Sequence, residues 1–379
     1  MIPSIEILAT TGVAVYVHVP FCPTKCGYCD FNSYAMNGEI VDRTVQAMVR
    51  EIRSSPLTGV PAKTIFFGGG TPTFLAEEQL LSVFQAVLDV HPPLPGAEIT
   101  SEANPGTVDM PKFKSMRGAG FNRISLGAQS FLDSDLLRLG RIHKSGEIER
   151  AVGAAREAGF DNLNLDLMFG LPNQSTHAWK ENLTRALALK PEHLSLYCLT
   201  IEQNTAFYKE HLRGQLVLPD DEVQVEMYDE CISRTLEQGF EQYEISNFSK
   251  PGLACQHNIC YWRGEAYAGY GPGAVGAVPV GEEFVRYTNL KHPDGYCEAV
   301  QKGANLRFES ESLSPETLRV ERIMLGLRMN NGINLKDLQI PDFAVAKLET
   351  RGWIERNDQH MSLSAQGRHF CSEVALELI

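Results

Sequence analysis

The sequence predicts an α/β protein: an open barrel of six parallel strands, then a loop-rich insert and a small α+β unit. Three observations lead to this fold class. A strand-then-helix rhythm repeats six times over the first two-thirds of the 379-residue chain, polar residues and glycines follow most strands, and the rhythm stops beyond about Tyr243. Strands that alternate with helices favour a parallel sheet, because parallel neighbours need crossover connections. Six strands are too few for a closed eight-stranded barrel, so we expect an open (β/α)6 barrel.

The six strands are predicted from short β-branched or apolar runs, and the helices from apolar residues at helical spacing. Residues 40–52 and 80–88 show the helical spacing clearly. The predicted strands are residues 13–19, 64–67, 98–101, 123–126, 163–167 and 193–199.

Beyond the barrel, which we place at residues 1–245, the sequence predicts two further parts. Residues 246–305 are rich in Gly, Tyr, Asn and Trp, and we expect a loop-rich insert. In residues 306–379, two helical patterns precede a short hairpin and a final helix, an order typical of a winged helix. This last part carries slightly more acidic than basic side chains, which argues against a DNA-reading role.

Composition excludes several classes of function. The chain has 34 Lys and Arg against 47 Asp and Glu, a formal net charge of −13, which gives no electrostatic case for nucleic-acid binding. It contains no run of roughly 18 uncharged apolar residues, so we expect no membrane span. No Lys or Arg precedes Lys25, unlike the charged start of a secretory signal. We therefore expect a cytoplasmic protein.

Three cysteines follow the first strand with the spacing Cys22-x3-Cys26-x2-Cys29. Ligand sites in parallel α/β folds collect at the carboxyl ends of strands. Three thiolates on one loop hold three irons of a [4Fe–4S] cluster and leave the fourth iron open to a chelating ligand. A zinc site would need a fourth nearby ligand, and a redox pair would leave Cys22 without a role.

This loop resembles that of the radical S-adenosylmethionine (SAM) superfamily. Residues 16–22 (YVHVPFC), the Gly-Gly-Gly-Thr-Pro run at 68–72 and residues 165–172 (LDLMFGLP) resemble the HemN/HemW group, and the resemblance covers essentially the whole chain. It implies a [4Fe–4S] cluster on Cys22, Cys26 and Cys29, with SAM on the open iron. An electron from such a cluster can cleave SAM to a 5′-deoxyadenosyl radical.

The resemblance also implies a set of SAM contacts at the strand ends. For the glycines, a phosphate loop is disfavoured because no Gly-Lys-Ser/Thr follows, whereas a purely structural turn stays open. For the carboxylates and the glutamine, a structural hydrogen bond at the barrel end is the alternative. The implied contacts are Tyr16, Tyr28, Gly69, Gly70, Thr71, Glu102, Gln129, Arg141 and Asp166.

Two branches of the group compete: heme chaperones, and enzymes that act on a porphyrin, such as the oxygen-independent coproporphyrinogen III dehydrogenase or a heme-modifying relative. The dehydrogenases extend the loop to CxxxCxxCxC, and Phe31 stands here at the last cysteine. The resemblance therefore favours a chaperone that passes heme to acceptor hemoproteins, with a heme donor protein as a further partner. A homodimer would fit the same resemblance.

The run His257-Asn-Ile-Cys-Tyr261-Trp262 matches the HNxxYW pattern of the chaperone branch. Histidine is a common axial ligand of heme iron, and the two aromatic rings could cover the macrocycle. A hydrogen-bonded histidine in a packed aromatic corner is the alternative. The sequence has no Cys-x-x-Cys-His motif for covalent heme attachment. In the following glycine-rich segment, Val275 replaces a histidine common in the family, so a heme role there is in doubt.

Overall fold

The centre of the fold is a run of six parallel strands that lie side by side in chain order. The structure is a computed structural model and describes residues 5–336 and 338–379, so residues 1–4 and 337 of the predicted units lie outside it. All six predicted strands are confirmed. They are β1 (Val13–Val19), β2 (Ala62–Gly69), β3 (Pro93–Ala103), β4 (Arg123–Gln129), β5 (Leu163–Phe169) and β6 (His193–Cys198).

Helices follow the strands and bury one apolar face each. The helix at Glu39–Arg53 buries Val41, Val45, Met48 and Ile52, which share one face at helical spacing. The helices of this part are α1 (Ile5–Thr11), α2 (Glu39–Arg53), α3 (Glu77–Val90), α4 (Met110–Ala119), α5 (Asp133–Leu139), α6 (Ser145–Glu157), α7 (Thr176–Ala188), α8 (Ala206–Leu212) and α9 (Asp221–Glu237).

Residues 246–305 are not loop-rich, and that expectation is wrong. Strands on both sides extend the six parallel strands to a twelve-stranded sheet, in which β9 pairs in parallel with β1 and β8 antiparallel with β6. The added elements are β7 (Glu241–Glu244), β8 (Asn247–Ser249), α10 (Gln256–Trp262), β9 (Tyr267–Tyr270), β10 (Val275–Val280), β11 (Glu283–Asn289), α11 (Pro293–Lys302) and β12 (Arg307–Ser312).

The glycines that suggested loops are needed for close packing between these strands. A Cβ on Gly269 would lie 2.0 Å from the carbonyl oxygen of Val275, and one on Gly276 would lie 2.3 Å from the ring of Tyr287. We call β9–β12 the sheet extension.

The C-terminal unit has its own small core and an antiparallel sheet, in the predicted order of helices before a hairpin. It buries Ile323, Leu348, Met361 and Val374 in a cluster separate from that of the barrel. Its strands pair in the order β13-β15-β14. The elements are α12 (Pro315–Gly326), β13 (Ile333–Asn334), α13 (Asp342–Thr350), β14 (Ile354–Arg356), β15 (His360–Leu363) and α14 (Cys371–Leu378).

Candidate functional site

A cavity of about 330 Å³ opens at the carboxyl ends of the six parallel strands. The cysteine loop, which we define as residues 22–34, forms one side of it, and the ends of β2 to β6 form the rest. Most of the sequence-predicted site residues meet here. Those that border the cavity are Cys22, Cys26, Tyr28, Cys29, Gly69, Gly70, Thr71, Glu102, Gln129, Arg141 and Asp166.

The cysteine loop is closed on itself by hydrogen bonds. The amide of Cys22 donates to the carbonyl oxygen of Tyr34 at 3.1 Å, which joins the two ends of the loop. Lys25 reaches across the loop, and its Nζ donates to the carbonyl oxygen of Phe31 at 2.6 Å and to Oγ of Ser33 at 2.9 Å. These bonds hold the three cysteines toward the cavity.

Two of the three thiols have polar neighbours from the barrel. The hydroxyl of Thr71 donates to Sγ of Cys22 at 3.4 Å, and Nη1 of Arg141 lies 3.8 Å from Sγ of Cys26. Burial raises the pKa of Cys22 and of Cys29. Iron binding requires thiolates and would therefore release protons from these groups. Among the described residues, no three His, Cys, Asp or Glu side chains converge closely enough to hold a single metal ion.

The glycines after β2 permit a close approach to the first strand and the cysteine loop. Gly69 has φ +107°, and a Cβ there would lie 2.5 Å from the ring of His18. A Cβ on Gly70 would lie 2.5 Å from the carbonyl oxygen of Phe21. The amide of Gly69 donates to Glu102 at 3.2 Å. The glycines thus bring this turn, with its backbone groups, against the cavity wall.

Two carboxyl groups face the cavity from β3 and β5. Burial, with a smaller effect of the nearby Asp166, raises the pKa of Glu102 to about 8. Burial also raises the pKa of Asp166, which accepts hydrogen bonds from Ser125 at 2.9 Å and Asn164 at 2.8 Å. Glu102 is therefore largely a neutral hydrogen-bond donor at neutral pH while the cavity holds no ligand.

Arg141 reaches the cavity with part of its guanidinium unpaired. Its Nη2 donates to the carbonyl oxygen of Gly127 at 2.9 Å, whereas its buried Nε has no hydrogen-bond partner. A Cβ on Gly127 would lie 3.1 Å from Nε2 of Gln129 and 3.2 Å from Nη2 of Arg141. A buried donor without a partner is costly, so this arrangement suits an anionic ligand group in the cavity.

Tyr16 does not border the cavity. Its ring is half-buried in the barrel and stacks on Phe66 with 6.3 Å between ring centres. Its hydroxyl donates to Nδ1 of His18 at 3.0 Å, since Nε2 of that ring donates to the carbonyl oxygen of Asn32 at 2.8 Å. Tyr16 is therefore linked to the cysteine loop through His18 rather than through the cavity.

The structure does not bring His257, Tyr261 and Trp262 to the cavity. His257 is 1% exposed and lies near the start of β2, with Nδ1 2.8 Å from Oγ1 of Thr64 and Nε2 3.1 Å from the hydroxyl of Tyr261. Burial lowers the pKa of His257 to about 3. Both ring nitrogens are occupied, so the packed aromatic corner is the arrangement present, and neither nitrogen is free for heme iron.

The comparisons with known proteins identify the family. Sequence profiles match the Radical SAM superfamily over residues 16–186 and the HemN C-terminal domain over residues 313–370. The heme chaperone HemW of Bacillus subtilis is 38% identical over 95% of this chain and 97% of its own. That of Mycobacterium tuberculosis is 35% identical over 100% and 97%. The chain belongs to the HemW family of the radical SAM superfamily.

A solved structure shows the same fold as this HemW-family protein. Coproporphyrinogen III oxidase (HemN) from Escherichia coli superposes with a TM-score of 0.83 at 21% identity, over 96% of this chain and 89% of its own. Radical SAM membership implies SAM and a [4Fe–4S] cluster. The residues present fit both groups: three thiols and an unpaired arginine donor border one cavity.

Sequence reasoning missed several residues of the cavity. Met168 and Tyr197 come from β5 and β6, and Asn104 and Ile142 from the loops after β3 and α5. Tyr197 lines the cavity together with Cys198 at the carboxyl end of β6, and this position at a strand end is the signal that could have found it. Met168 lies within the LDLMFGLP run, whereas no motif marks Asn104 or Ile142. Around the opening, Phe31 is 63% exposed, Ile142 44% and Tyr197 40%, and we call these three the apolar rim.

Proposed function

We propose that this protein binds heme and delivers it to acceptor hemoproteins, and that it carries a [4Fe–4S] cluster and SAM at the barrel opening. The observation that carries the proposal is one cavity that combines three thiols with the apolar rim at its opening. The names of the relatives, heme chaperones matched over nearly the whole chain, support the choice of heme as the cargo.

Within this proposal the chain's own residues hold the cluster and SAM. Cys22, Cys26 and Cys29 would ligate three irons. The unpaired Nε of Arg141 would pair with a carboxylate, and Glu102 and Asp166 would bind hydroxyl or amino groups. We assign the surrounding contacts to the remaining cavity residues, Tyr28, Gly69, Gly70, Thr71 and Gln129. When bound, the cluster supplies an electron that can cleave SAM.

We place the heme contact at the apolar rim rather than at His257. Ligation by His257 would require the loss of its hydrogen bonds to Thr64 and Tyr261 and the withdrawal of a fully buried ring. The rim instead offers exposed apolar surface that a macrocycle can cover. Phe31, which stands where the dehydrogenases have a cysteine, contributes the largest exposed ring.

Heme titration, followed by transfer to heme-free apomyoglobin, tests this function. We expect saturable binding and transfer by the wild type, and weaker binding by Phe31→Asp. Phe343→Asp is the matched control, because Phe343 is 75% exposed on α13 in the C-terminal unit. Unchanged affinity in Phe31→Asp, with lost affinity in a folded His257→Gln variant, would return the heme site to the HNxxYW segment.

The alternative is a radical enzyme that acts on a porphyrin. The fold shared with coproporphyrinogen III oxidase favours it, whereas Phe31 in place of a fourth loop cysteine argues against it. Anaerobic incubation of the reconstituted protein with SAM, a reductant and coproporphyrinogen III separates the two proposals. Conversion to the vinyl product would replace the chaperone assignment, whereas 5′-deoxyadenosine alone would leave it standing.

A cytoplasmic location remains part of the proposal. All nine cysteines are free thiols, which is typical of a reducing compartment. None of the described helices is long and apolar enough to cross a membrane. A heme donor protein and a homodimer stay proposals that the resemblance alone supports.

A further inference from the structure

One asparagine joins the end of the cysteine loop to the sheet extension. Nδ2 of Asn32 donates to the carbonyl oxygen of Pro272 at 3.0 Å and to that of Lys291 at 3.1 Å. The two acceptors lie 240 and 259 residues further along the chain, in the turns before β10 and after β11. We propose that Asn32 is a positioning residue that clamps the cysteine loop in the geometry that the cluster requires. This inference rests on the cluster site proposed above.

The remaining polar atoms of Asn32 bind the loop and the first strand. Its Oδ1 accepts from the hydroxyl of Tyr34 at 3.0 Å, and its backbone carbonyl accepts from Nε2 of His18 at 2.8 Å. The side chain therefore uses both amide protons and its oxygen at once. Three residues after Cys29, this single residue contacts the barrel through its backbone, and the loop and the sheet extension through its side chain.

The sheet extension presents a rigid surface to Asn32, because a buried carboxyl group fixes the turn before β10. Glu51, 5% exposed on α2, accepts from the amide of Gly271 at 2.8 Å, from Nδ2 of Asn289 at 2.7 Å and from the hydroxyl of Tyr296 at 2.5 Å. The carbonyl oxygens that receive Asn32 thus belong to a segment held from its far side.

The sheet extension approaches the cysteine loop so closely that the turn before β10 requires glycine. Gly273 has φ +78°, and a Cβ there would lie 2.1 Å from Nδ2 of Asn32. A Cβ on Gly271 would lie 2.4 Å from the carbonyl oxygen of His18. The glycine-rich segment therefore lets the sheet extension touch the base of the cysteine loop.

Asn32→Ala and Asn32→Asp test the clamp. Asp keeps the acceptor for Tyr34 but replaces both donors by an oxygen that faces two carbonyl oxygens. It should therefore be at least as harmful as Ala if the bonds to Pro272 and Lys291 matter. After anaerobic reconstitution, we expect the cluster to be lost in air at least about fivefold faster than in the wild type, since one hydrogen bond accounts for about that factor and two are removed. We also expect a smaller SAM-induced change in the electron paramagnetic resonance spectrum of the reduced cluster. Thermal unfolding of the cluster-free proteins controls for folding.

Gly273→Ala adds an independent test in the form of a double-mutant cycle. Alone it should displace Asn32 and speed cluster loss, whereas in the Asn32→Ala background it should add little, because the clashing amide is gone. Gly281→Ala is the matched control: Gly281 has φ +61° on the same extension, with nothing within 4 Å of its Cβ position. We expect it to retain the cluster like the wild type.

The outcomes separate this inference from the function on which it rests. Wild-type cluster lifetime and spectrum in both Asn32 variants, or additive effects in the cycle, would overturn the clamp and leave the cluster site intact. A wild type that takes up no cluster would overturn the cluster site and the clamp together.

Discussion

Glu102 is a residue whose environment opposes its ionised form. Burial beside Asp166 raises the pKa of its carboxyl group to about 8, and its one hydrogen bond from the amide of Gly69 does not offset that burial. Such a group is unfavourable for the fold and useful for a ligand, which is the usual compromise at a binding site.

We expect Glu102→Gln to stabilise the ligand-free protein at pH 8 and to change little near pH 4.5. In the unfolded chain the carboxyl group ionises near pH 4.5 and in the fold near pH 8, so ionisation opposes folding increasingly between these values. The gain in unfolding free energy should reach about 1–2 kcal/mol, a fraction of the full shift because the cavity admits water. Thermal unfolding against pH measures it. A stability difference between Glu102→Gln and the wild type that does not change with pH would contradict the raised pKa of Glu102.

His257 has the opposite effect on the pH dependence of stability: its contribution is lost as the pH falls, whereas that of Glu102 is lost as the pH rises. Its pKa of about 3 keeps the ring neutral in the fold, whereas the unfolded chain binds a proton near pH 6.5. Acidification below pH 6.5 therefore costs stability through this residue.

His257→Gln should destabilise the protein at pH 7.5 by about 1–3 kcal/mol, because two buried hydrogen bonds are disturbed. The difference in unfolding free energy between the variant and the wild type should be smaller at pH 5, because the variant no longer carries the buried imidazole that must stay neutral. Urea unfolding at the two pH values tests this. A gap that widens on acidification would show that the ring is not held neutral.

The sequence can indicate which residue types the site needs, but not which of them meet. The spacing of the three cysteines, the position of Glu102 at the end of a strand and that of Asp166 within one are local facts, and the structure places them on one cavity. The surroundings of His257 are not local, since its partners and the ring stacked on it come from β1, β2 and its own helix. A single sequence does not record such packing, so it cannot separate a heme ligand from an aromatic corner.

At the scale of elements, the turn after β2 (residues 70–71) is hydrogen-bonded to the chain that leads from β1 into the cysteine loop. The amide of Gly70 donates to the carbonyl oxygen of Val19 at 2.8 Å, and that of Thr71 to the carbonyl oxygen of Phe21 at 2.7 Å. The turn thus continues the pairing of β1 and β2 beyond the strands and delivers Thr71 to Cys22.

Gly70→Ala should destabilise the protein by about 2 kcal/mol or more, because its Cβ would meet the backbone of Phe21 and no flexible side chain can yield. The same substitution at Gly153 is the control. Gly153 lies inside α6 with nothing within 4 Å of its Cβ position, so alanine there should stabilise by about 0.5–1 kcal/mol. Chemical denaturation of both variants gives the comparison. Equal changes in unfolding free energy for Gly70→Ala and Gly153→Ala would mean that the turn after β2 is not constrained by the backbone of Phe21.

The glycines of the sheet extension show which strands can be predicted from the sequence and which cannot. The six parallel strands follow from the sequence because β-branched runs and helical spacing are strong, local signals. The sheet extension does not, because glycine marks both turns and close strand contacts, and a sequence does not distinguish them.

At the scale of the whole molecule, a buried carboxylate is one of several links between the C-terminal unit and the barrel. Others are the hydrogen bond from the amide of Ile245 to the carbonyl oxygen of Arg328 and the contact of His369 with Asp229. Glu244, fully buried at the end of β7, accepts from Nη2 of Arg328 at 3.1 Å. The guanidinium of Arg328 also lies 4.5 Å from the ring centre of Trp262, at the end of α10. The HNxxYW segment therefore connects the barrel to the C-terminal unit, a role for Trp262 that fits its distance from the cavity.

We expect Arg328→Met to destabilise the protein by about 1–3 kcal/mol, since it leaves a buried carboxylate without its cation. Calorimetry should show the C-terminal unit melting at a lower temperature than in the wild type, because one of its links to the barrel is lost. Lys347→Met is the control, because Lys347 pairs with Glu377 within the C-terminal unit and is 44% exposed. That variant should lose under about 1 kcal/mol and keep one transition. A single unshifted transition in Arg328→Met would show that the other links, such as the backbone hydrogen bonds of Tyr243 and Ile245 to residues 328–330, hold the two units together.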